Sequence, residues 1–372
     1  MHVLILGTRG VPAKHGGFET FAHDLSLYLT ARNHKVTVYC QTGSRNETGE
    51  DVWMGVRRIL IPAGTNPVET MLFDWIATWH SSFEDGVILT LGYNTALFNL
   101  LYRLKHIPNA INMDGIEWKR QKWSLAQRGW LRFNEWLGTI AANRLIADHP
   151  EIANHLSGLA ALDKISMIPY GADSIVSAPV EPLEQSGLSP KSYHLVIARP
   201  EPENSILEIV RAYSMQYRGV PLVVLGHYSP ETNEYHSRVL DAAGPEVRFL
   251  GAIHDREIVT ALRFHARTYL HGHTVGGTNP SLVESLAAGN AVIAQDNVYN
   301  RWVAGESARY FQGIEDLDVI LGELEQDPNG LAAMEEGSRR RHQEAFTQDK
   351  VLRAYEHALL ELAQVKCTQC TI

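Results

Sequence analysis

Short apolar runs separated by helix-period stretches constrain this chain more than any other feature, because the alternation is laid down twice. In the first half Val3–Gly7, Val36–Cys40, Val56–Ile61, Val87–Leu91, Ala110–Met113 and Arg144–Ala147 read as strands. Between the first two, Glu19–Arg32 puts Phe21, Leu25, Tyr28 and Leu29 on one face of a helix. The pattern restarts at His194–Ala198 and continues through Leu222–Gly226, Arg248–Leu250, Thr268–His271 and Ala291–Ala294. Strand–helix alternation on this scale predicts an α/β fold of two facing, doubly wound, Rossmann-like domains, with a ligand held between their strand ends. Ile168-Pro-Tyr-Gly-Ala-Asp173 and Ser177–Pro190, with Pro179, Pro182, Gly187 and Pro190, read as hinge and linker. The expected division is therefore residues 1–172, residues 173–345, and a C-terminal helix and tail over 346–372 that packs back on the first domain. The 372 residues suffice for two full cores.

Composition removes several classes of function. A hydrophobic content of 45% with 20% charged residues describes a globular chain. A net charge of -9 argues against nucleic acid as a partner, which requires a basic footprint. The opening Met1-His-Val-Leu-Ile-Leu-Gly7 is a strand without the basic region and long apolar run of a signal peptide, and no stretch reaches the ~20 apolar residues of a membrane span. A cytosolic protein is expected. Three cysteines give no disulfide framework. Cys40 ends an apolar strand and reads as packing, and the Cys367-x-x-Cys370 pair lies in a polar tail with no partner pair to suggest a metal or redox role.

Two glycine loops carry the chemistry. In the second half, after His271-Gly-His273, Val275-Gly-Gly-Thr-Asn-Pro-Ser281 runs from a strand end into a helix for which Asn279 is the natural N-cap and Pro280 the first helical residue. The amides of Gly276, Gly277 and Thr278 then lie beside about half a unit of positive dipole charge, a place suited to a diphosphate, with His273 and Ser281 at its margins. Glu284, one turn further on, is within reach of a ribose whose diphosphate sits at the cap. Most strand–glycine–helix turns only reverse the chain, and the second such loop is what sets this sequence apart. It is Gly7-Thr-Arg-Gly-Val-Pro-Ala-Lys-His-Gly-Gly-Phe-Glu-Thr20, where Gly16 and Gly17 precede a helix and Arg9, Lys14 and His15 add donors. An NAD site would need G-x-G-x-x-G and an acid after the second strand, where Gln41 stands, and no P-loop signature is present.

Gly16-Gly17-Phe18-Glu19, the hinge at 168–173 and Glu284 within Pro280-Ser-Leu-Val-Glu-Ser-Leu-Ala-Ala-Gly289 resemble a GT-B glycosyltransferase of family 4. Gly7-Thr-Arg-Gly-Val-Pro-Ala13, Asn112-Met-Asp-Gly-Ile-Glu-Trp-Lys-Arg120, Ala198-Arg-Pro-Glu-Pro-Glu-Asn204 and the His271–Ser281 run resemble more narrowly the bacterial polysaccharide rhamnosyltransferases. The resemblance spans about residues 1–300. It implies a retaining, metal-independent hexosyl transfer from a nucleoside diphosphate sugar, with dTDP-rhamnose the candidate donor, no bound cofactor and no metal ligands. The expected acceptor is a saccharide or a polyprenyl-diphosphate-linked saccharide, with the protein peripheral at the inner face of the cytoplasmic membrane.

Carried over residue by residue, the resemblance makes Glu284 the ribose ligand and Arg199 a cation for the diphosphate. Arg199 and Asp114 are the catalytic candidates: one stabilises the charge that grows on the leaving group, the other orients or deprotonates the acceptor hydroxyl. Arg9, Lys14, His15, Phe18, Glu19, Asp114, Glu117, Trp118 and Arg120 are the acceptor-side candidates. Three departures stand against the pattern. Gly276 occupies the place of the family's first donor-site glutamate, Glu203 or Asn204 that of a lysine, and a histidine usual in the first domain is replaced near Asp114. They leave open a nucleotide-sugar-binding protein without transfer, a transferase using a UDP- or GDP-hexose, and a GT-B epimerase. A phosphorylase is disfavoured, since no lysine marks a pyridoxal phosphate site.

The stretch Trp118–Leu137 holds four of the eight tryptophans and five cations. Interleaved basic and aromatic residues suit an anionic lipid interface, with Lys119, Arg120, Lys122, Arg128 and Arg132 as its cations, while Trp123, Trp130 and Leu137, spaced by sevens, equally suit a buried face.

Overall fold

The computed structural model describes residues 1–13, 16–43, 47–120 and 122–369, the last five as backbone. It divides into two compact units, Met1–Pro169 with Val351–Ile372, and Tyr170–Lys350. Lys14, His15 and Cys370 lie outside the described residues.

The first unit is built on an eight-stranded sheet of β1 (His2–Leu6), β2 (Lys35–Thr42), β3 (Gly49–Trp53), β4 (Val56–Pro62), β5 (Val87–Leu91), β6 (Asn109–Asn112), β7 (Arg144–Ala147) and β8 (Ile165–Met167). Their order is β3-β4-β2-β1-β5-β6-β7-β8. Every pair is parallel except β3–β4. Strands buried on both faces need continuous apolar runs, which is why Val3 to Ile5 and Val87 to Leu89 are all but inaccessible. Helix α1 (Gly17–Ala31) lays Phe21, Ala22, Leu25 and Leu29 into the core on one face of this sheet. Helices α2 (Pro67–Ser81), α3 (Leu100–Leu104) and α4 (Leu125–Ala141) follow β4, β5 and β6. Each leads to a strand further along the sheet in the same direction, so right-handed crossovers put all three on the face opposite α1.

The second unit carries β9 (His194–Ile197), β10 (Leu222–Leu225), β11 (Val247–Gly251), β12 (Thr268–His271), β13 (Ala291–Gln295) and β14 (Arg309–Phe311). All are parallel, in the order β11-β10-β9-β12-β13-β14. Both sheets are thus doubly wound. Three strands, β3, β8 and β14, escape the sequence reading because they are short edge strands whose residues are largely exposed or half-buried.

The boundaries fall at 169/170 and 350/351, not at the expected 172/173 and 345/346. Ala172 is the reason. Its amide donates to the Phe346 carbonyl, and its own carbonyl accepts from the Gln348 amide and from His342 Nε2. The C-terminal helix Gln348–Gln369 puts Val351, Tyr355, Leu359 and Leu362 into the core shared by β1 and α1. Glu356 accepts from Arg32 Nε at 2.9 Å, His34 Nε2 at 2.8 Å and Tyr28 Oη at 3.1 Å, which fixes the helix beside α1. No helix among the described residues is long and apolar enough to cross a membrane.

Candidate functional site

Each sheet has one place where neighbouring strands send their connections in opposite directions, and the carboxyl ends there open a crevice. In the second unit it lies between β9 and β12, since β9 continues to β10 and β12 to β13. The residues following these two strands are Arg199 and the 272–279 loop.

The loop is held at its base. The Thr274 amide and hydroxyl both donate to the Glu203 carbonyl, at 2.9 and 3.0 Å. Asn297 Nδ2 and Asn300 Nδ2 donate to the His273 carbonyl at 3.0 and 2.8 Å. Gly276 has φ +134°, a conformation essentially closed to a side chain, with open space where a Cβ would stand. A glutamate there would be strained. Among the described residues the amides of Gly276 and Gly277 meet no acceptor. Thr278 is buried. Asn279 caps the Pro280–Ala287 helix by accepting from the Ser281 amide at 3.0 Å, with Pro280 in the first turn.

Glu284 is half-buried and its Oε2 lies 2.8 Å from Nη2 of Arg263, a side chain only 5% exposed. Arg263 also donates to Ser281 Oγ at 3.3 Å, and Tyr269 Oη lies 2.6 Å from the same oxygen. Ser281 Oγ and Tyr269 Oη in turn donate to the Ile197 carbonyl, two residues before Arg199. This knot joins the end of β9 to the first turn of the helix, so Arg199 and the helix N-terminus rise from one anchored point. Arg199 is exposed. Its carbonyl accepts from Asn204 Nδ2 at 2.8 Å, while among the described residues the guanidinium meets no hydrogen-bond or ion-pair partner. Asn204 is buried in that contact and shapes the Arg199 loop. His271 is buried and its ring stacks on His273 at 4.3 Å and 8°. Burial, and secondarily His273, holds the His271 imidazole well below its ordinary pKa, so it is neutral and serves as packing under His273.

In the first unit the corresponding place lies between β1 and β5. Gly7 leaves β1 at φ +79°, where a Cβ would collide with the Leu91 carbonyl oxygen of β5. The loop closes when the Arg9 amide donates to Glu19 Oε1 at 3.2 Å. Gly16 precedes the first turn of α1, and its carbonyl accepts from the Thr20 amide and hydroxyl. Phe18 packs against Gly92, whose amide donates to the Asn112 carbonyl. Arg9 and Glu19 border a cavity of about 680 Å³ that also meets Gln41, Asp51, Arg58 and Leu60.

Asp114 follows β6 with φ +49°, held by its amide donating to Asn112 Oδ1 at 2.8 Å. A non-glycine residue in this region is uncommon and tends to mark a functional position. Desolvation first, and then the Glu117 carboxylate, hold its carboxyl above the ordinary range, with Arg120 pulling the other way. Glu117 is buried, not exposed as expected of a surface glutamate. It lies 2.6 Å from Arg120 Nε, and accepts from Trp123 Nε1 at 3.3 Å. Trp118 Nε1 donates to the buried Glu135, and the Arg132 guanidinium lies over its ring. Glu117, Trp118 and Arg120 therefore form a packed ion network beside Asp114. Arg263, Tyr269, Asn297 and Asn300 were not foreseen; only the Asn297 cap, which accepts from the Asn300 amide, leaves a signal in sequence.

Residues 1–82 and 84–173 match a family described as "Domain of unknown function (DUF1972)". No curated protein matches the sequence. Solved structures do match in fold. A sucrose-phosphate synthase from Thermosynechococcus elongatus superposes with a TM-score of 0.81 at 17% identity, over 98% of this chain and 99% of that one. HepE from Anabaena, in complex with UDP, gives 0.75 at 14% identity over 97% and 100%. A glycosyltransferase from Rickettsia africae gives 0.73 at 14% identity over 97% and 98%. The fold is that of the GT-B glycosyltransferases.

Proposed function

We propose that this chain is a retaining, metal-independent glycosyltransferase. It moves a sugar, rhamnose in the leading reading, from a nucleoside diphosphate donor to a saccharide acceptor. The observation that carries the reading is the switch-point constellation of the second unit: the Arg199 guanidinium and the amides of Gly276 and Gly277 at a capped helix, none of which meets a partner among the described residues, and Glu284 one turn on. Arg199 and the amides stabilise the negative charge that grows on the departing diphosphate. Glu284, held by Arg263, accepts from the ribose hydroxyls. In the retaining reaction the leaving diphosphate takes the acceptor proton on the same face of the sugar, while Asp114 orients the acceptor hydroxyl. HepE, which shares this fold, has been solved with UDP and with UDP-glucose, in support of a nucleotide-sugar donor. The acceptor is lipid-linked in this reading, so the enzyme works at the inner face of the cytoplasmic membrane.

A second reading, donor binding without transfer, is favoured by Gly276 and by Glu203 or Asn204, which stand where the resembled family has a carboxylate and a cation. Both readings require a donor site, and calorimetric titration with dTDP-rhamnose, UDP-glucose and GDP-mannose tests it. One of the three is expected to bind. Glu284→Gln keeps an acceptor for Arg263 but loses charge-assisted hydrogen bonds to the ribose, weakening that donor by about 1.5–3 kcal/mol. Binding that is equal in the variant would remove Glu284 from the site, and no binding of any donor by the wild type would overturn both readings.

A further inference from the structure

The first unit exposes an aromatic surface that the glycosyl-transfer chemistry does not use. On the face bearing α2, α3 and α4, Phe83, Trp79, Trp75 and Phe98 form a ladder with successive ring centroids 5.3, 5.9 and 5.4 Å apart. A second ladder runs along α4 through Trp130, Phe133 and Trp136 at 6.5 and 6.1 Å. The segment that begins α3 links the two. Phe98 ends the first ladder, the Leu97 amide donates to Asn134 of α4, and Trp130 Nε1 donates to the Asn94 carbonyl. These rings are not core: Trp79 and Trp136 are each 50% exposed and Phe83 68%, with Leu104 of α3 at 78% between them. An apolar patch of this extent on a globular protein marks an interaction surface.

Charge identifies the occupant. Every carboxylate on the three helices is engaged: Glu69 accepts from Asn66, Asp74 from Thr95, and buried Glu135 from Trp118 and His155. The exposed charges on α3, at its end and on α4 are the cations Arg103, Lys105 and Arg132, against the exposed acid Asp85 that follows Phe83 in the chain. Lys105 Nζ lies 3.6 Å from the centre of the Phe83 ring and 5.7 Å from that of Trp79, so the charge sits on the ladder itself. A second copy seated on this face would bring like cations together at its edge, which opposes pairing. An anionic bilayer supplies both partners, since tryptophan and phenylalanine settle at the headgroup boundary and lysine and arginine meet the phosphates.

We propose that the α2–α4 face, through its two aromatic ladders and Arg103 and Lys105, docks this protein on an anionic membrane surface. The inference rests on the membrane-associated reading above and extends its contact from the α4 part of Trp118–Leu137 to α2 and α3. Of the cations expected there, Arg120 and Lys122 pair with Glu117, while Lys119 is exposed beside the Trp118 ring.

Co-sedimentation with phosphatidylcholine vesicles, with and without phosphatidylglycerol, tests the assignment, with donor titration on the same preparations reporting on the second unit. Wild type is expected to sediment with the anionic vesicles and to show a blue shift of tryptophan emission. The triple variant Trp79→Gln/Phe83→Gln/Trp136→Gln is expected to lose at least about tenfold in vesicle affinity. Lys105→Glu alone should also weaken binding and reduce its salt dependence, with thermal unfolding measured beside it because Lys105 Nζ also donates to the Ser82 carbonyl and hydroxyl. Donor affinity should be unchanged throughout. Vesicle binding by the triple variant equal to wild type would overturn the assignment and, if Lys119→Glu/Arg120→Glu/Lys122→Glu then abolished it, return the contact to that segment. No binding by wild type, or a wild-type dimer that the triple variant dissolves, would also overturn it, and donor binding would in either case leave the transferase reading standing.

Discussion

Arg199→Ala is expected to lower turnover by about 10²–10³, or roughly 2.7–4 kcal/mol of transition-state stabilisation, while leaving the melting temperature close to that of the wild type. The asymmetry follows from its surroundings. The guanidinium is exposed and meets no protein partner among the described residues, whereas the backbone of the same residue is fixed by Asn204 and Glu201. Alanine keeps the loop and removes only the charge, and surface truncations of this kind usually stay within about 0.5 kcal/mol of wild-type stability. Steady-state kinetics with the preferred donor, beside thermal unfolding, reads both quantities. Normal turnover in the variant would mean that the diphosphate charge is met elsewhere.

Arg218→Met is expected to do the reverse, costing the second unit about 3–5 kcal/mol of stability. The Arg218 side chain is fully buried. Its guanidinium meets Asp318 at 2.5 Å and Glu325 at 2.9 Å and lies over the Tyr213 ring, tying the Ile206–Tyr213 helix to the Ile314–Glu325 helix. Methionine fills much of the volume but leaves both carboxylates without their cation. Against the 5–15 kcal/mol typical of a domain, that loss is a large share. Urea unfolding followed by hydrogen exchange should show the second unit opening earlier while the first is unchanged. A variant as stable as the wild type would mean that the two carboxylates hydrate freely at little cost.

The doubly wound pattern was legible because strands buried on both faces must be apolar throughout, so Val3–Leu6, Val36–Cys40 and Ala291–Ala294 announce themselves. Edge strands have no such requirement, and β3, with three of its five residues exposed, left no trace. The division between units was legible only to within a few residues, since the pairing of Ala172 with Phe346 and Gln348 joins positions far apart in sequence. Local signals served best where the chemistry is local. The Asn279-Pro280 cap reads directly from the chain because a cap is a contact between residues two or three apart.

Arg263 shows the limit. It stands on an ordinary amphipathic helix, Arg256–Phe264, and nothing nearby in sequence says that it is buried or that its partner is Glu284. Glu117 shows the same limit from the other side. A glutamate in a Trp- and Lys-rich stretch reads as solvated, yet Arg120 and Trp123 fold over it. The basic segment at 118–122 was conspicuous in composition, but its sequence did not show that Arg120 and Lys122 pair with Glu117, and the rings of α2 became visible as a surface only when α2, α3 and α4 were brought to one face.

The central claim is transfer of a sugar from a donor held at the β9–β12 switch point, and the direct measurement is incorporation of label from a nucleoside diphosphate sugar into product. Purified protein is supplied with dTDP-[14C]rhamnose, UDP-[14C]glucose or GDP-[14C]mannose and with lipid-linked saccharides extracted from a bacterial membrane. The account predicts label in the lipid fraction from one donor, with the anomeric configuration of that donor kept in the product and the signal reduced about 10²–10³-fold by Arg199→Ala. Saturable donor binding with all label remaining in the nucleotide sugar, across the acceptors supplied, would contradict it and leave a nucleotide-sugar-binding protein in its place.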